Sequence, residues 1–334
     1  MLRFMRKREA VPESAEGLRA EIDRLAARNR RSAERDAERR LLRLRHELGM
    51  RLLESAAGGA EHPDPSGAAL PVGDGLPEFA PEELTPGLLR AGILRDGCLL
   101  VRGLVPRADA LAFAAEIDRA FAERERALEG DAPAPGYYEE FTPDARFGDV
   151  EVRSWIRTGG GLLAADSPKP ACRMLELFAA ARLPQLVEAY LGEPPMITLE
   201  KTTLRKAEPS VAGAWHQDGH FMGPVRALNV WLSLSRCGDE SPGLDLVPRR
   251  LEWLVTAGTG DSLLDYQVSD GDAEEAARPK RVIRPVFEPG DALLFDELFL
   301  HQTGSDPAMP NPRFAVESWF FGASAFPGYT PIAV

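Results

Sequence analysis

"GAWHQDGHFMG", residues 213–223, places two histidines and an aspartate within five positions of a chain that has five histidines in 334 residues. Three arrangements compete for His216, Asp218 and His220. On a helix, His216 and His220 stand at i and i+4, as in the zinc-protease pattern H-E-x-x-H, but the general-base glutamate is replaced by Gln217. Gly213, Gly219, Gly223 and Pro224 also disfavour a helix. In an extended strand, His216 and Asp218 point to one face and present an imidazole beside a carboxylate. That is two thirds of a 2-His-1-carboxylate facial triad for non-haem Fe(II). An ordinary polar turn is the third reading, and for a lone HxD it is the commonest.

A facial triad needs a second histidine. Outside the cluster the chain offers His46, His62 and His301. His301 ends "PGDALLFDELFLH", just beyond a strong strand pattern, where a folded barrel can bring it beside the HxD strand. Arg313 follows twelve residues later and opens "RFAVESWFF". A returning antiparallel strand carries its guanidinium into the barrel, where a bidentate pair with a dicarboxylate is geometrically specific. A surface salt bridge is the plainer role for that arginine.

Length and composition bound the class. At 36.5 kDa, with 44% hydrophobic residues, the chain can bury a sizeable core. No apolar run approaches a membrane span, and "MLRFMRKREAVPES" lacks the apolar stretch of a signal peptide, so a cytoplasmic location is expected. Cys98, Cys172 and Cys237 are far apart, which argues against a disulfide framework or a thiolate zinc site. Net charge is −12: residues 1–56 carry 15 Lys+Arg against 10 Asp+Glu, leaving 25 against 42, or −17, elsewhere. The body is expected to repel nucleic acid and anionic membrane.

From Glu13 to Ser55 there is no proline, and Leu18, Ile22, Leu25, Ala33, Ala37, Leu41, Leu44, Leu48 and Leu52 recur at helical spacing. The reading is one long amphipathic helix, with 1–56 a charged segment, 57–75 a Gly/Pro/Ala-rich linker, and 76–334 the main domain. The helix's seam weakens at Asn29, Ala33 and Ala37. Self-association through a coiled coil and packing along its own domain both stand. Helical patterns follow over "PEELTPGLLRAGILRDG", "PRADALAFAAEIDRAFAERERAL" and "PACRMLELFAAARLPQLVEAYLG". Residues 130–165 suit a mobile loop, whose Tyr137, Tyr138, Phe141, Phe147 and Trp155 form either an aromatic lid or a satellite core. Short strand patterns fill the second half, which predicts a β-sandwich or barrel with packed helices.

In their order, "LRDGCLLVRGLVP", "WHQDGH", "NVWLSLS", "GLDLVPRR", "PGDALLFDELFLHQTG" and "NPRFAVESWFF" make the chain resemble the phytanoyl-CoA dioxygenase family of Fe(II)- and 2-oxoglutarate-dependent oxygenases over roughly residues 80–325. The resemblance implies a mainly β fold with packed helices, a double-stranded β-helix (cupin-like jelly roll), here preceded by the long N-terminal helix. It implies His216, Asp218 and His301 as catalytic iron ligands and Arg313 as anchor of the distal carboxylate of 2-oxoglutarate, with Trp231, Thr303 and Thr203 in the co-substrate pocket. The chain departs from the family at "PGL" (242–244) and "PRRLEW" (248–253), and Arg157 and Lys169 are the only candidates for a further basic co-substrate contact.

The implied reaction takes Fe(II), 2-oxoglutarate and O2 and releases succinate and CO2 while oxidising a substrate. Because Asp218 retains the carboxylate that related halogenases lack, hydroxylation or another oxidation such as desaturation is favoured over halogenation. A small hydrophobic or amphipathic metabolite is expected, since "RPKRVIR" is the sole basic cluster to meet an acyl-CoA. A catalytically silent cupin-type scaffold with an N-terminal helical interaction module is the alternative.

Overall fold

The computed structural model describes residues 12–32, 36–56, 70, 75–211, 213–259 and 264–334. His62 and nearly all of the expected 57–75 linker lie outside these residues. The strands run β1 Glu78–Phe79, β2 Cys98–Val101, β3 Gly161–Leu163, β4 Pro195–Ala207, β5 Ala227–Ser233, β6 Gly243–Leu246, β7 Ala292–Phe295, β8 His301–Gly304, β9 Arg313–Gly322 and β10 Pro331–Ala333. The helices are α1 Ala15–Arg31, α2 Ala37–Glu54, α3 Pro86–Asp96, α4 Arg107–Leu128, α5 Arg153–Thr158, α6 Pro168–Ala180, α7 Leu183–Leu191, α8 Gly219–Met222 and α9 Asp270–Ala277.

Apolar runs such as "ALNVWLS" and "ALLF" have no polar alternation, so their strands must be covered on both faces. They are: every residue of β2, β5 and β7 is buried. The larger sheet has the order β1-β2-β7-β5-β9-β4-β10, with β3 also on β4. One face, carrying Val230, Leu294, Val316 and Phe320, packs on helices through Phe113, Ile117 and Phe178. The other carries Trp231, Leu293, Phe295, Ala315 and Trp319, and meets Leu244 and Leu246 of the smaller β6-β8 sheet in one apolar cluster. The smaller sheet is extended by single bridges at His216–His301, Trp215–Val268 and Leu246–Ile283. The interior between the two sheets is where the site forms.

The helices are more extensive than the mainly β expectation allowed: about 40% of the described residues are helical against 20% in strands. The core is sheet-rich, within a mixed fold.

The N-terminal helix is two helices. Ser14 caps α1, its Oγ accepting from Gly17 N–H at 3.1 Å, and Asp36, at φ 68°, precedes α2. Arg40 donates to Glu21 and Asn29 to Glu38, so the pair runs antiparallel. The break falls where the seam has only small or polar residues, between Leu25 and Leu41. Those leucines, with Leu18, Ile22, Leu44 and Leu48, pack on one another and on Ala333. Leu42 enters the main core. This apolar face packs against the chain's own domain.

The helical pattern at 171–191 likewise divides, at Arg182 (φ 56°) before Pro184. Residues 130–165 are more ordered than a mobile loop: they contain α5 and β3, and Tyr137 and Phe141 are buried in the core. Phe147 lies edge-on to His46. His46 itself is a satisfied core histidine: its Nδ1–H donates to Pro331 O (2.8 Å) and its Nε2 accepts from Asp144 N–H (3.0 Å). Among the described residues no helix is long and apolar enough to cross a membrane.

Candidate metal and co-substrate site

His216 lies in extended backbone that pairs with the first residue of β8. The N–H of each histidine donates to the other's carbonyl, at 3.0 and 3.1 Å. The strand hugs β8 so closely that a Cβ at Gly213 would come within 2.0 Å of Thr303 O, which explains the glycine. Asp218, two residues on, shares the face of His216, while Gln217 turns the other way. The buried Gln217 amide donates to Trp253 O and Leu298 O and accepts from Val255 N–H. Gln217 therefore braces the loop over the site, where the protease motif would need a base.

The ligand atoms of His216, Asp218 and His301 all lie within 4.8 Å of one another. Each histidine points Nδ1–H at a backbone carbonyl, His216 at Ala214 (2.7 Å) and His301 at Phe299 (3.0 Å). This fixes the tautomer that leaves Nε2 free as a metal ligand. Burial, with His216 beside it, pushes His301 down to about 3, so the imidazole stays neutral. Burial raises Asp218, against the pull of His216 and Lys201, and its Oδ2 has no hydrogen-bond partner. A buried carboxylate oxygen left unpaired between two imidazoles is what a divalent cation satisfies. His220 stands apart: its Nε2 donates to Val255 O at 2.9 Å, and the single turn α8 begins only at Gly219. His216 and His220 do not form a helical metal pair.

Arg313, the first residue of β9, is buried, and burial pushes its guanidinium down to about 10. Its Nη1 donates to Gly243 O at 2.7 Å, its Nε has no partner, and it forms no ion pair with any described residue. Gly243 of "PGL" thus supplies the carbonyl that positions this arginine. Trp231 lies under it, with the guanidinium carbon 5.4 Å from the ring centroid. Asn229, two residues earlier on the same inward face, is fully buried with neither amide atom partnered. Thr303 follows His301 by two on β8 and shares its face.

Thr203 has a different partner: its Oγ1 donates to Glu317 at 3.4 Å. Glu317 pairs with Arg205 through Nε (3.1 Å) and Nη2 (2.7 Å). Burial would raise Glu317, but Arg205, together with Lys201, outweighs it and holds the carboxylate at about 2. Its side chain is still 21% accessible. Arg157 and Lys169 are exposed, Arg157 beside Ile156 and Lys169 over the Tyr137 ring at 5.1 Å, and neither is in the cluster of ligand atoms.

Sequence reasoning missed Glu317, Asn229, Lys201, Phe221 and Tyr266. A charge in "RFAVESWFF" and an amide in "ALNVWLS" were visible signals, being polar residues at inward positions of otherwise apolar strands. Tyr266 lies edge-on to both His216 (6.3 Å) and Phe221 (5.5 Å), and no spacing links it to either.

Residues 93–306 match the model of the phytanoyl-CoA dioxygenase (PhyH) family. No curated protein matches the chain. Among solved structures, EctD from S. alaskensis with 2-oxoglutarate and 5-hydroxyectoine aligns at 18% identity and TM-score 0.51, over 81% of this chain and 86% of that one. The same protein with bound Fe aligns at 20% identity and TM-score 0.50, over 78% and 83%. These likenesses speak to the fold. With the matched segment covering well over half the sequence, the chain belongs to the phytanoyl-CoA dioxygenase (PhyH) family of non-haem Fe(II)- and 2-oxoglutarate-dependent oxygenases.

Proposed function

We propose that the protein hydroxylates a small organic metabolite, coupling this to conversion of 2-oxoglutarate to succinate and CO2. His216, Asp218 and His301 hold the iron, and Arg313 holds the distal carboxylate of the co-substrate. The observation that carries the reading is the pairing of two unsatisfied groups beside one inter-sheet apolar cluster: a buried triad with an orphaned carboxylate oxygen, and a buried guanidinium without a carboxylate partner among the described residues. A dicarboxylate spanning the two satisfies both. Bound Fe(II) supplies the oxidising chemistry, using O2.

The chain's own residues orient and desolvate. The bonds from His216 and His301 to backbone carbonyls fix both rings. Gly243 O aims Arg313, and Trp231 walls the space beneath it. Asn229 offers a donor and an acceptor to the same polar ligand, and Thr303 a hydroxyl. The inward faces of the two sheets form the double-stranded β-helix in which this happens, and the apolar cluster around Phe295 and Trp319 excludes water. Intact triad and arginine together speak against a silent scaffold.

The test is release of labelled CO2 from 1-labelled 2-oxoglutarate by the Fe(II)-loaded protein without added substrate. Slow release that disappears in His216→Ala supports the reading. No release from protein shown to hold iron and 2-oxoglutarate contradicts it.

A further inference from the structure

Lys201 stands on β4 on the same face as Thr203, two residues before it. Its Nζ lies 3.7 Å from the centroid of the Phe221 ring and 5.9 Å from that of Tyr329. Phe221 in turn stacks on His216, with centroids 6.4 Å apart. The ammonium therefore lies against the ring that stacks on a triad histidine.

Asp218 and Glu317 act on this cation electrostatically without contacting it. Among the described residues its Nζ forms no ion pair and no hydrogen bond. The nearby acids are engaged elsewhere. Glu317 takes both arms of Arg205. Glu200, next in the chain, turns to the N–H and hydroxyl of Thr330. Asp218 belongs to the metal triad. Glu297, pushed up to about 8 by burial and by Asp296, is protonated near neutrality. With the site filled as proposed above, Fe(II) and Arg313 balance Asp218 and the two carboxylates of 2-oxoglutarate, and Arg205 balances Glu317. Lys201 is left as one uncompensated positive charge in a cavity where burial already disfavours it.

The surroundings of that charge are apolar. Tyr266 closes on Phe221, and Trp155, 52% exposed, lies edge-on to Tyr266 at 6.4 Å. Leu254, 39% exposed, covers Gly219, where an added Cβ would meet its Cδ2 at 2.9 Å. Trp253, beside it, is 52% exposed. Large side chains left in water around one opening mark a surface that an apolar ligand covers.

We propose that Lys201 receives the anionic group of the substrate, and that the substrate is an amphipathic monoanion: a carboxylate on an apolar body that lies against Phe221, Tyr266 and Trp155. The assignment rests on the Fe(II)/2-oxoglutarate reading of the same site. One ammonium answers one carboxylate.

The experiment uses the intact protein with Fe(II) and 2-oxoglutarate under anaerobic conditions. The probes are octanoate, decanoate, 3-phenylpropanoate and 4-phenylbutanoate, each beside its neutral amide, with binding followed by thermal shift and by quenching of tryptophan fluorescence. At least one acid binds tighter than its amide by at least about tenfold, the preference collapses in Lys201→Met, and it survives in Lys201→Arg. Metal-dependent 2-oxoglutarate binding stays within about threefold of wild type in Lys201→Met, which also shows that the variant folds. Amides matching acids across the panel, no acid binding, or an acid preference unchanged in Lys201→Met would each overturn the proposal. So would a loss of 2-oxoglutarate affinity in Lys201→Met, which would give the ammonium to the co-substrate. If wild-type protein does not bind 2-oxoglutarate at all, the reading of the site fails first, and that measurement is made before any probe is added.

Discussion

His216 and His301 exchange two backbone hydrogen bonds, the N–H of each donating to the carbonyl of the other at 3.0 and 3.1 Å. Each ring is separately locked through Nδ1 to a carbonyl two residues earlier in its own strand. The spacing of the two imidazoles is thus set by the sheet itself, with ring centroids 4.5 Å apart before any ion is considered. Sites held on paired strands vary little, which suits a metal that tolerates small errors in ligand position.

From this follows a separation of three histidines. His216→Ala and His301→Ala lose iron on gel filtration, read by elemental analysis, while His220→Ala keeps most of it, since His220 bonds to Val255 O. Equal loss in all three variants would show that the triad is wrongly assigned.

Arg313→Leu retains iron and binds 2-oxoglutarate more weakly by at least about 30-fold, the smaller end of what truncating a buried charge pair costs. Arg313→Lys recovers part of the loss, because an ammonium restores charge without the bidentate fork. Equilibrium dialysis with labelled 2-oxoglutarate reads both, and unchanged affinity in Arg313→Leu places the anchor elsewhere.

Burial holds His46 below its ordinary value, with the bond to Pro331 O opposing. Below pH ~6.5 the unfolded chain therefore binds a proton that the folded chain refuses, so this contribution to stability is present at pH 7.5 and falls as pH drops. The loss is at most about 1.4 kcal/mol per pH unit, from ~6.5 down to the folded value. Thermal melts at pH 7.5 and 5.5 check it: the gap between them narrows in His46→Gln, and an unchanged gap assigns the acid sensitivity to other groups.

The α1–α2 hairpin is predicted to be structural. Leu42, 1% exposed, lies in the main core, and Leu25 lies in the hairpin's own cluster. Leu42→Ala should lower unfolding free energy by about 2–5 kcal/mol in denaturant titrations. A chain truncated through residue 56 should lose cooperative unfolding; a truncated chain as stable as the full one would mean that the hairpin only decorates the domain.

The site was more legible than the fold around it. HxD in an extended stretch, a histidine after a strand pattern and an arginine opening the next strand are local signals, and register then converts them into a cluster. The hairpin break was half visible, in the weak seam at Asn29 and Ala37, but periodicity alone does not distinguish a straight helix from one that folds back, because both keep the same apolar face. The split at Arg182 hid for the same reason, although Pro184 marked it. Lys201 and Tyr266 were beyond reach: they approach His216 only because β4 and the 264–268 segment converge in space, and no spacing in the chain encodes that meeting.

The central claim is that one cavity binds Fe(II) through the triad and 2-oxoglutarate across to Arg313. An anaerobic titration of the iron-loaded protein with 2-oxoglutarate tests it most directly, by following the weak visible charge-transfer band of the chelate. The account predicts a saturable band in wild type, absent in His301→Ala and requiring much more 2-oxoglutarate in Arg313→Leu. No band from protein whose bound iron is confirmed by elemental analysis would contradict it.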